Sequence, residues 1–464
     1  MPDLRIPPLP SINQARLADA TADLREANLD FARRHPGDPP GRQPVHTVYG
    51  GAQLFGADAA AKIGGVARRA MDEYMPTAAA LGDMLDVAGH PSLDAVHGRV
   101  REKLEREAVE DLRIDFEDGY GNRPDDEEDH HAVVVGEELA LGMTEGTLPP
   151  FIGIRVKTLT EELRLRSMRT LDLVLTTLVH TTGALPDNFV VTIPKVTMAE
   201  QVDYTVAVLR QLERTLSLAK ESLRFEVMVE TPQIIIDHDG RSLLPRLVEL
   251  SEGRLASAHF GTYDYTASLN ITAAHQRMGH PANDFAKHMM QVTLAGTGVW
   301  LSDGSTAVLP VPVHRAAAGS ALSAAQQAEN RAAMQEAWRM HFRDVTHSLE
   351  GGFYQGWDLH PAQLVTRYAA LYLFFLDGIE AAGVRLKNFV AKAAQATLVG
   401  NVFDDAATGQ GLLNFFLRGI NSGAVTEAEA LRMTGLTEED FRGRSFVRIM
   451  NSRTGAVAGA DAPR

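Results

Sequence analysis

Residues 112–118 read LRIDFED, and this run decides the fold. Successive side chains of a β-strand point to opposite sides. Leu112, Ile114 and Phe116 then share one face, while Arg113, Asp115 and Glu117 share the other. Two further runs split the same way. In FIGIRVK (151–157), Ile152, Ile154 and Val156 oppose Gly153, Arg155 and Lys157. In FEVMVET (225–231), Phe225, Val227 and Val229 oppose Glu226, Met228 and Glu230. The apolar faces can pack on helices while the charged faces turn into a barrel. Buried charges are costly unless they are paired or bind a metal, so charged inner faces mark a site as well as a fold.

Outward from these runs, β-type segments alternate with helical ones. The others are HTVYGG (46–51), VVTIPKV (190–196), ASAHFGTYD (256–264), GVWLSD (298–303) and GWDLHP (356–361). Long helical patterns separate most of them, for example 199–217 and 324–346. Eight strand–helix units imply an α/β protein, a (β/α)8 TIM barrel with a parallel sheet. The barrel is expected over 45–380. A helical N-terminal extension, 1–44, contains a charged helical pattern (15–34) and a Pro/Gly/Asp loop (36–44). A C-terminal helical extension, 381–464, is expected to end in a disordered Gly/Ala-rich tail from about Thr454. The His- and Met-rich segment 266–297 reads as an insertion or lid. No internal repeat is visible.

The bulk composition narrows the function. The chain has 464 residues, 45% of them hydrophobic, and a net charge of −15. An acidic surface without a basic stripe excludes nucleic acid as the expected partner. Cysteine is absent, which rules out disulfides, thiol nucleophiles and Cys-ligated metals. No secretory signal or membrane-length apolar run is present, so the expected setting is cytoplasmic, with no membrane partner.

Candidate chemistry lies where the strands end. Glu230 and Asp264 close two consecutive runs, and two converging carboxylates suit a hard cation, Mg²⁺ or alternatively Mn²⁺. The bland alternative is a helix cap or an Arg partner. Arg155 cannot deprotonate and needs an anion. It could grip a substrate carboxylate and an enolate oxygen, or pair with Asp115 or Glu117, and the two readings can coexist. Lys195 is read as an orienting charge near Glu230. A Schiff-base lysine in a metal-free aldolase is the alternative. Asp118, in DFEDGYG, is a candidate general base, with support of Arg155 and Lys195 as its structural alternative. Glu117, Gly261 and Thr262 are candidate substrate-binding positions. His360, before Pro361, is a candidate acid/base group or else a helix-entry histidine bonded to backbone. His259 reads as an interior histidine, and His275, His280 and His288 as surface and lid residues. GGAQLFG (50–56) is no dinucleotide or Walker fingerprint, although its backbone could hold an anion.

Six pieces in this order carry a resemblance: LRIDFEDGYG, GIRV, TIPKV, VMVET, HFGTYDY and GWDLHPAQ. Across roughly residues 110–365 the chain resembles the citrate lyase β-subunit-like family. That family includes the malyl-CoA and citramalyl-CoA lyases and lies near the class II 2-oxo-acid aldolases. The resemblance implies a barrel, Mg²⁺ on the acids matching Glu230 and Asp264, and oxo-acid or enolate binding by Arg155. Asp118 stands where the related aldolases carry a base His. It also implies a homo-oligomer, a trimer or hexamer. The first strand reads HTVYGGAQ, not the Arg-rich strand with a Val-Pro-Gly-like turn that accompanies acyl-CoA use, so CoA is left open. The expectation is a Mg²⁺-dependent carbon–carbon lyase (aldehyde- or oxo-acid-lyase) acting on a 2-oxo acid or acyl-CoA through an enolate. The alternatives are a phosphoenolpyruvate-type enolate enzyme on the same barrel, or a non-catalytic barrel that binds a partner.

Overall fold

A computed structural model describes residues 12–39, 41–317, 319–391, 397–399, 402–404 and 406–454. Two helices, α1 (Gln14–Ala20) and α2 (Ala22–Arg34), precede β1 (His46–Gly51). Next come α3 (Ala59–Tyr74), α4 (Ala78–Leu85), α5 (Leu93–Arg106) and β2 (Asp111–Asp115). Then α6 (Asp125–Glu145), β3 (Phe151–Arg155), α7 (Arg164–Thr182), β4 (Phe189–Ile193), α8 (Ala199–Thr215) and β5 (Arg224–Val229) follow in strict alternation. Two short helices, α9 (Pro232–Ile235) and α10 (Leu244–Leu250), lead to β6 (Leu255–Phe260). After α11 (Thr262–Ser268) and α12 (Pro281–Leu294) come β7 (Trp300–Ser302), α13 (Ala324–Glu350), β8 (Gly356–Asp358) and α14 (Gln363–Ala391). The C-terminal part adds an antiparallel pair of strands, β9 (Thr397–Val399) and β10 (Val402–Asp404). It ends with α15 (Ala406–Asn421), α16 (Glu427–Thr434), α17 (Glu438–Gly443) and α18 (Phe446–Thr454).

The first eight strands form one sheet in the order β7-β6-β5-β4-β3-β2-β1-β8, with every ladder parallel. Bonds just beyond the strands bridge the seam: Asp303 N–H donates to the Gln355 carbonyl at 2.8 Å, and Trp357 N–H to the Gly304 carbonyl at 3.0 Å. The fold is therefore an α/β barrel, nearly closed, with helical extensions. The alternation read from the sequence sets its layers. Ile114, Ile152, Ile154, Val191, Phe225, Val227 and Val229 are buried outward against the helices.

The inner face is polar and paired. Arg113 grips Glu226 with Nε at 2.8 Å and Nη2 at 2.9 Å. Thr192 and Ser257 also donate to Glu226, at 2.5 and 2.8 Å. Burial alone would raise the Glu226 carboxyl, but Arg113 and His259 outweigh it and hold it well below the usual range. A buried charge with its hydrogen-bonding positions filled is tolerated, which lets this barrel dispense with a wholly aliphatic interior.

Three expectations are corrected. The segment 266–297 is no insertion: α12 occupies the helix position between β6 and β7, and Ala286, Met290 and Leu294 belong to the core. Its histidines and exposed Phe285 hid an apolar stripe at helical spacing. The run ASAHFGTYD is not one strand either. It stops at Phe260, and Thr262 opens α11. The boundary drawn at 380 falls inside α14. Residues 455–464 of the tail expected to be disordered lie outside the described residues. No helix among the described residues is long and apolar enough to cross a membrane.

Candidate active site

The charged inner faces converge at the end of the barrel where the strands finish. Register places Asp115 of β2 beside Arg155 of β3. Arg155 donates to Asp115 through Nε at 2.7 Å and Nη2 at 2.5 Å, and Nη1 lies 3.2 Å from Glu117. Its guanidinium stacks over the Tyr49 ring, with Trp357 beyond, at 4.7 and 5.9 Å from the ring centroids. Three of its five N–H groups face protein acids, so two are left for a ligand. The pairing with Asp115 and Glu117 thus exists, and it leaves room for the substrate role.

Lys195 is the hub. It sits two residues past β4 in the left-handed region, with φ 52°. Its backbone N–H donates to Glu230 Oε1 at 2.7 Å. Its ammonium pairs with Glu117 and lies 3.2 Å from Asp118 Oδ2 and 3.7 Å from Asp264 Oδ1. Burial would lower the Lys195 ammonium, but Glu230, Glu117 and Asp264 raise it well above its ordinary value. A Schiff base needs a neutral amine, so this environment disfavours the Schiff-base reading.

Glu230 follows β5 and is 1% exposed. Burial, reinforced by Asp264, raises its carboxyl to about 8 despite Lys195 and Arg155. Asp264 does not end a strand, as the sequence suggested, but lies in the first turn of α11. Gly261 precedes that helix, and a Cβ there would collide with the Glu230 carboxylate. Glycine is what lets β6 approach Glu230 this closely. Thr262 is buried, and its hydroxyl is 3.2 Å from Met278 Sδ.

The two acids of the DFEDGYG turn differ. Asp118 is largely exposed, its side chain at 62%. Burial acts to raise its carboxyl, but Lys195 and Arg155 prevail and lower it, which makes it a poor base. Glu117 is half-buried, and that burial raises it over the opposing pull of Arg155 and Lys195. Read from the sequence as a substrate-binding position and a possible partner of Arg155, Glu117 is the turn's better proton acceptor. Gly119 closes the turn, donating its N–H to Asp115 Oδ2 at 2.7 Å.

His360 stands apart. Its Nδ1 accepts from Ala362 N–H at 3.2 Å, and it shares no hydrogen bond or ion pair with the charged cluster. His280 does the same to Ala282 at 3.1 Å, from an identical His-Pro-Ala sequence. Both are helix-entry histidines. His259 is fully buried, 3.1 Å from Ser257 Oγ and 3.2 Å from Glu226, with Nδ1 unpartnered. In the GGAQLFG turn, Gln53 Nε2 donates to the Gly119 carbonyl at 3.3 Å. Sequence reading missed Tyr49 and Trp357. Tyr49 does alternate with Val48 on β1, a signal that was available.

Among the described residues no group of three or more His, Asp or Glu forms a ready-made cation cage. The donor set still suits Mg²⁺, which is commonly held by one or two carboxylates plus waters and substrate. Asp115, Glu117, Asp118, Glu230 and Asp264 face only two fixed cations, Arg155 and Lys195. With all seven ionised the cluster carries −3 and would repel an anionic substrate.

The profile described as "Domain of unknown function (DUF6986)" matches residues 24–449. The chain belongs to this DUF6986 family. No curated protein matches it in sequence. Among solved structures, it is similar to a citrate lyase from Burkholderia xenovorans LB400. That match has 16% identity and a TM-score of 0.56, and covers 86% of this chain and 99% of the other. A pyruvate/acetyl-CoA ternary complex of Haloferax volcanii malate synthase matches at 14% identity and a TM-score of 0.43, covering 89% and 98%. Identity this low speaks to the fold alone, which the chain shares with the citrate lyase.

Proposed function

We propose that this DUF6986 protein is a carbon–carbon lyase or synthase of the citrate lyase-like kind, working through the enolate of a 2-oxo acid or acyl-CoA. One observation carries the reading: a fully buried acid, Glu230, stands beside Asp264 at the mouth of a barrel whose fixed charges leave the acids in excess. Such an arrangement is costly to a protein that does not use it. Glu230 and Asp264 would hold Mg²⁺ or Mn²⁺, which when bound supplies positive charge toward the developing oxyanion. Lys195 fixes Glu230 through its backbone N–H and keeps Glu117 in place through its ammonium. Arg155, stacked on Tyr49 and held by Asp115, offers its remaining N–H groups to a substrate carboxylate or enolate oxygen. Preorganised donors of this kind lower the barrier without reorganising during the reaction. Glu117 takes and returns the proton. Similarity in fold to a citrate lyase is consistent with this reading.

The test is exchange of the pyruvate methyl protons in D₂O, followed by proton NMR with and without Mg²⁺. Mg²⁺-dependent loss of the signal, absent in Glu230→Ala, is the expected result. No exchange with pyruvate, and none with acetyl-CoA in its place, would transfer the weight to a non-catalytic binding barrel.

A further inference from the structure

A second charged site lies at the opposite end of the barrel, where the strands begin. Residues 36–39 and 41–43 cross that end. Gly37 N–H donates to the Gly296 carbonyl just before β7, and Gln43 Nε2 to the Leu301 carbonyl. Between these residues and α15, α17 and α18 is a cavity of about 520 Å³. Four arginines line it: Arg418, Arg442, Arg444 and Arg448.

Their partners do not balance them. Arg418 pairs with Asp38 at 2.9 Å, and Arg442 with Glu438 at 2.9 Å. The Arg444 guanidinium donates to the Pro39 carbonyl, at 2.6 Å. The Arg448 guanidinium has no partner among the described residues. Four cations against two acids leave two positive charges in a chain whose net charge is −15. Burial lowers the Arg444 guanidinium; Asp38 opposes this, and repulsion from Arg418 adds to it. Neutral donors are present too: the Asn414 amide and the Ser445 hydroxyl line the same space and donate to no described group. Arginines in excess of their counter-charges are suited to oxyanions, which accept two parallel N–H bonds from one guanidinium. The volume falls in the range of small-molecule sites. No aromatic ring lines it for a base to stack on, so a compact ligand fits better than a nucleobase.

We propose that this cavity is a binding site for a compact polyanion, carrying at least two phosphate or carboxylate charges and separate from the barrel mouth. A ligand there would tie residues 36–39 to α15, α17 and α18. The inference does not depend on the proposed reaction.

The test is thermal melting and titration calorimetry with pyrophosphate and with citrate, against NaCl at matched ionic strength. It is run without divalent cations on the full chain and on Glu230→Ala, which separates this cavity from the mouth. Arg448→Glu is the diagnostic variant, because Arg448 is exposed and its guanidinium pairs with no described residue. Saturable stabilisation beyond that of NaCl, retained in Glu230→Ala and weakened at least tenfold in Arg448→Glu, is the expected result. A response to pyrophosphate alone would assign a phosphate ligand, and one to citrate alone a carboxylate ligand. An equal effect of NaCl, an equal response in Arg448→Glu, or no response to either anion would overturn the proposal.

Discussion

Arg155 shows how one residue can hold a site together and leave part of itself free. Its Nε and Nη2 edge is bound to Asp115, its Nη1 meets Glu117, and its face lies on Tyr49. Lysine could keep the charge but not the planar fork or the stacking. Arg155→Lys is therefore expected to slow pyruvate exchange by about 10²–10³, equivalent to roughly 3–4 kcal/mol of transition-state stabilisation. Exchange rates and melting temperature should be measured together, since Asp115 also loses a bidentate partner. A variant that exchanges at the full rate would remove Arg155 from the chemistry. The candidacy of Arg155 was legible because an arginine in strand alternation must face inward and needs an anion. The stacking was not legible, since Tyr49 and Trp357 meet only when β1 pairs with β8. The left-handed backbone of Lys195 was equally hidden. Nothing in IPKV announces a positive φ, which only the hydrogen bond to Glu230 and the pairing with Glu117 make worthwhile.

At the scale of elements, period-2 alternation located the strands and failed where the chain changes direction. β2, β3 and β5 stand where their apolar and charged faces place them. The run ASAHFGTYD continued the β-type composition past Phe260, yet Gly261 ends the strand and starts α11. Composition alone cannot separate a strand end from the first turn of a helix. The consequence is functional, because Asp264 reaches the cluster from a helix whose approach depends on the missing Cβ of Gly261. Gly261→Ala is expected to push the Glu230 carboxylate aside. The Mg²⁺-induced rise in melting temperature should fall away and exchange drop more than about tenfold, while circular dichroism stays unchanged. Wild-type-like behaviour of Gly261→Ala with Mg²⁺ would mean that Glu230 is not the group this approach positions. Segment 266–297 failed for the opposite reason. Its histidines and methionines drew the reading toward a lid, but Ala286, Met290 and Leu294 fall at helical spacing, and that stripe decides where α12 packs.

For the whole molecule, the seam that joins first strand to last should govern acid stability. His46 opens β1 against Gly356 of β8 and is fully buried. Its Nε2 accepts from Glu110 N–H at 3.0 Å, which leaves the proton on Nδ1, 3.9 Å from Asp358 Oδ2. Burial, aided by Arg367 and Lys103, lowers the imidazole to about 4, against the pull of Asp358 and Glu110. The unfolded chain therefore takes up a proton near pH 6.5 that the folded chain refuses until about pH 4. Protons bound only by the unfolded state favour it, so stability present above pH 6.5 is lost as pH falls through this window. One such group is worth about 3 kcal/mol over the whole interval, of which about 1.5 kcal/mol is lost between pH 6.5 and pH 5. The upper half of the window is the place to measure, because carboxylates of the unfolded chain begin to titrate below it. His46→Asn keeps an acceptor for Glu110 N–H and removes the titration. Urea unfolding at pH 5 and pH 6.5 should show a variant less stable than the wild type at neutral pH but flatter against pH by about that 1.5 kcal/mol. Equal slopes in the two proteins would mean that the β1–β8 seam admits the proton without opening, and that acid lability arises elsewhere in the barrel.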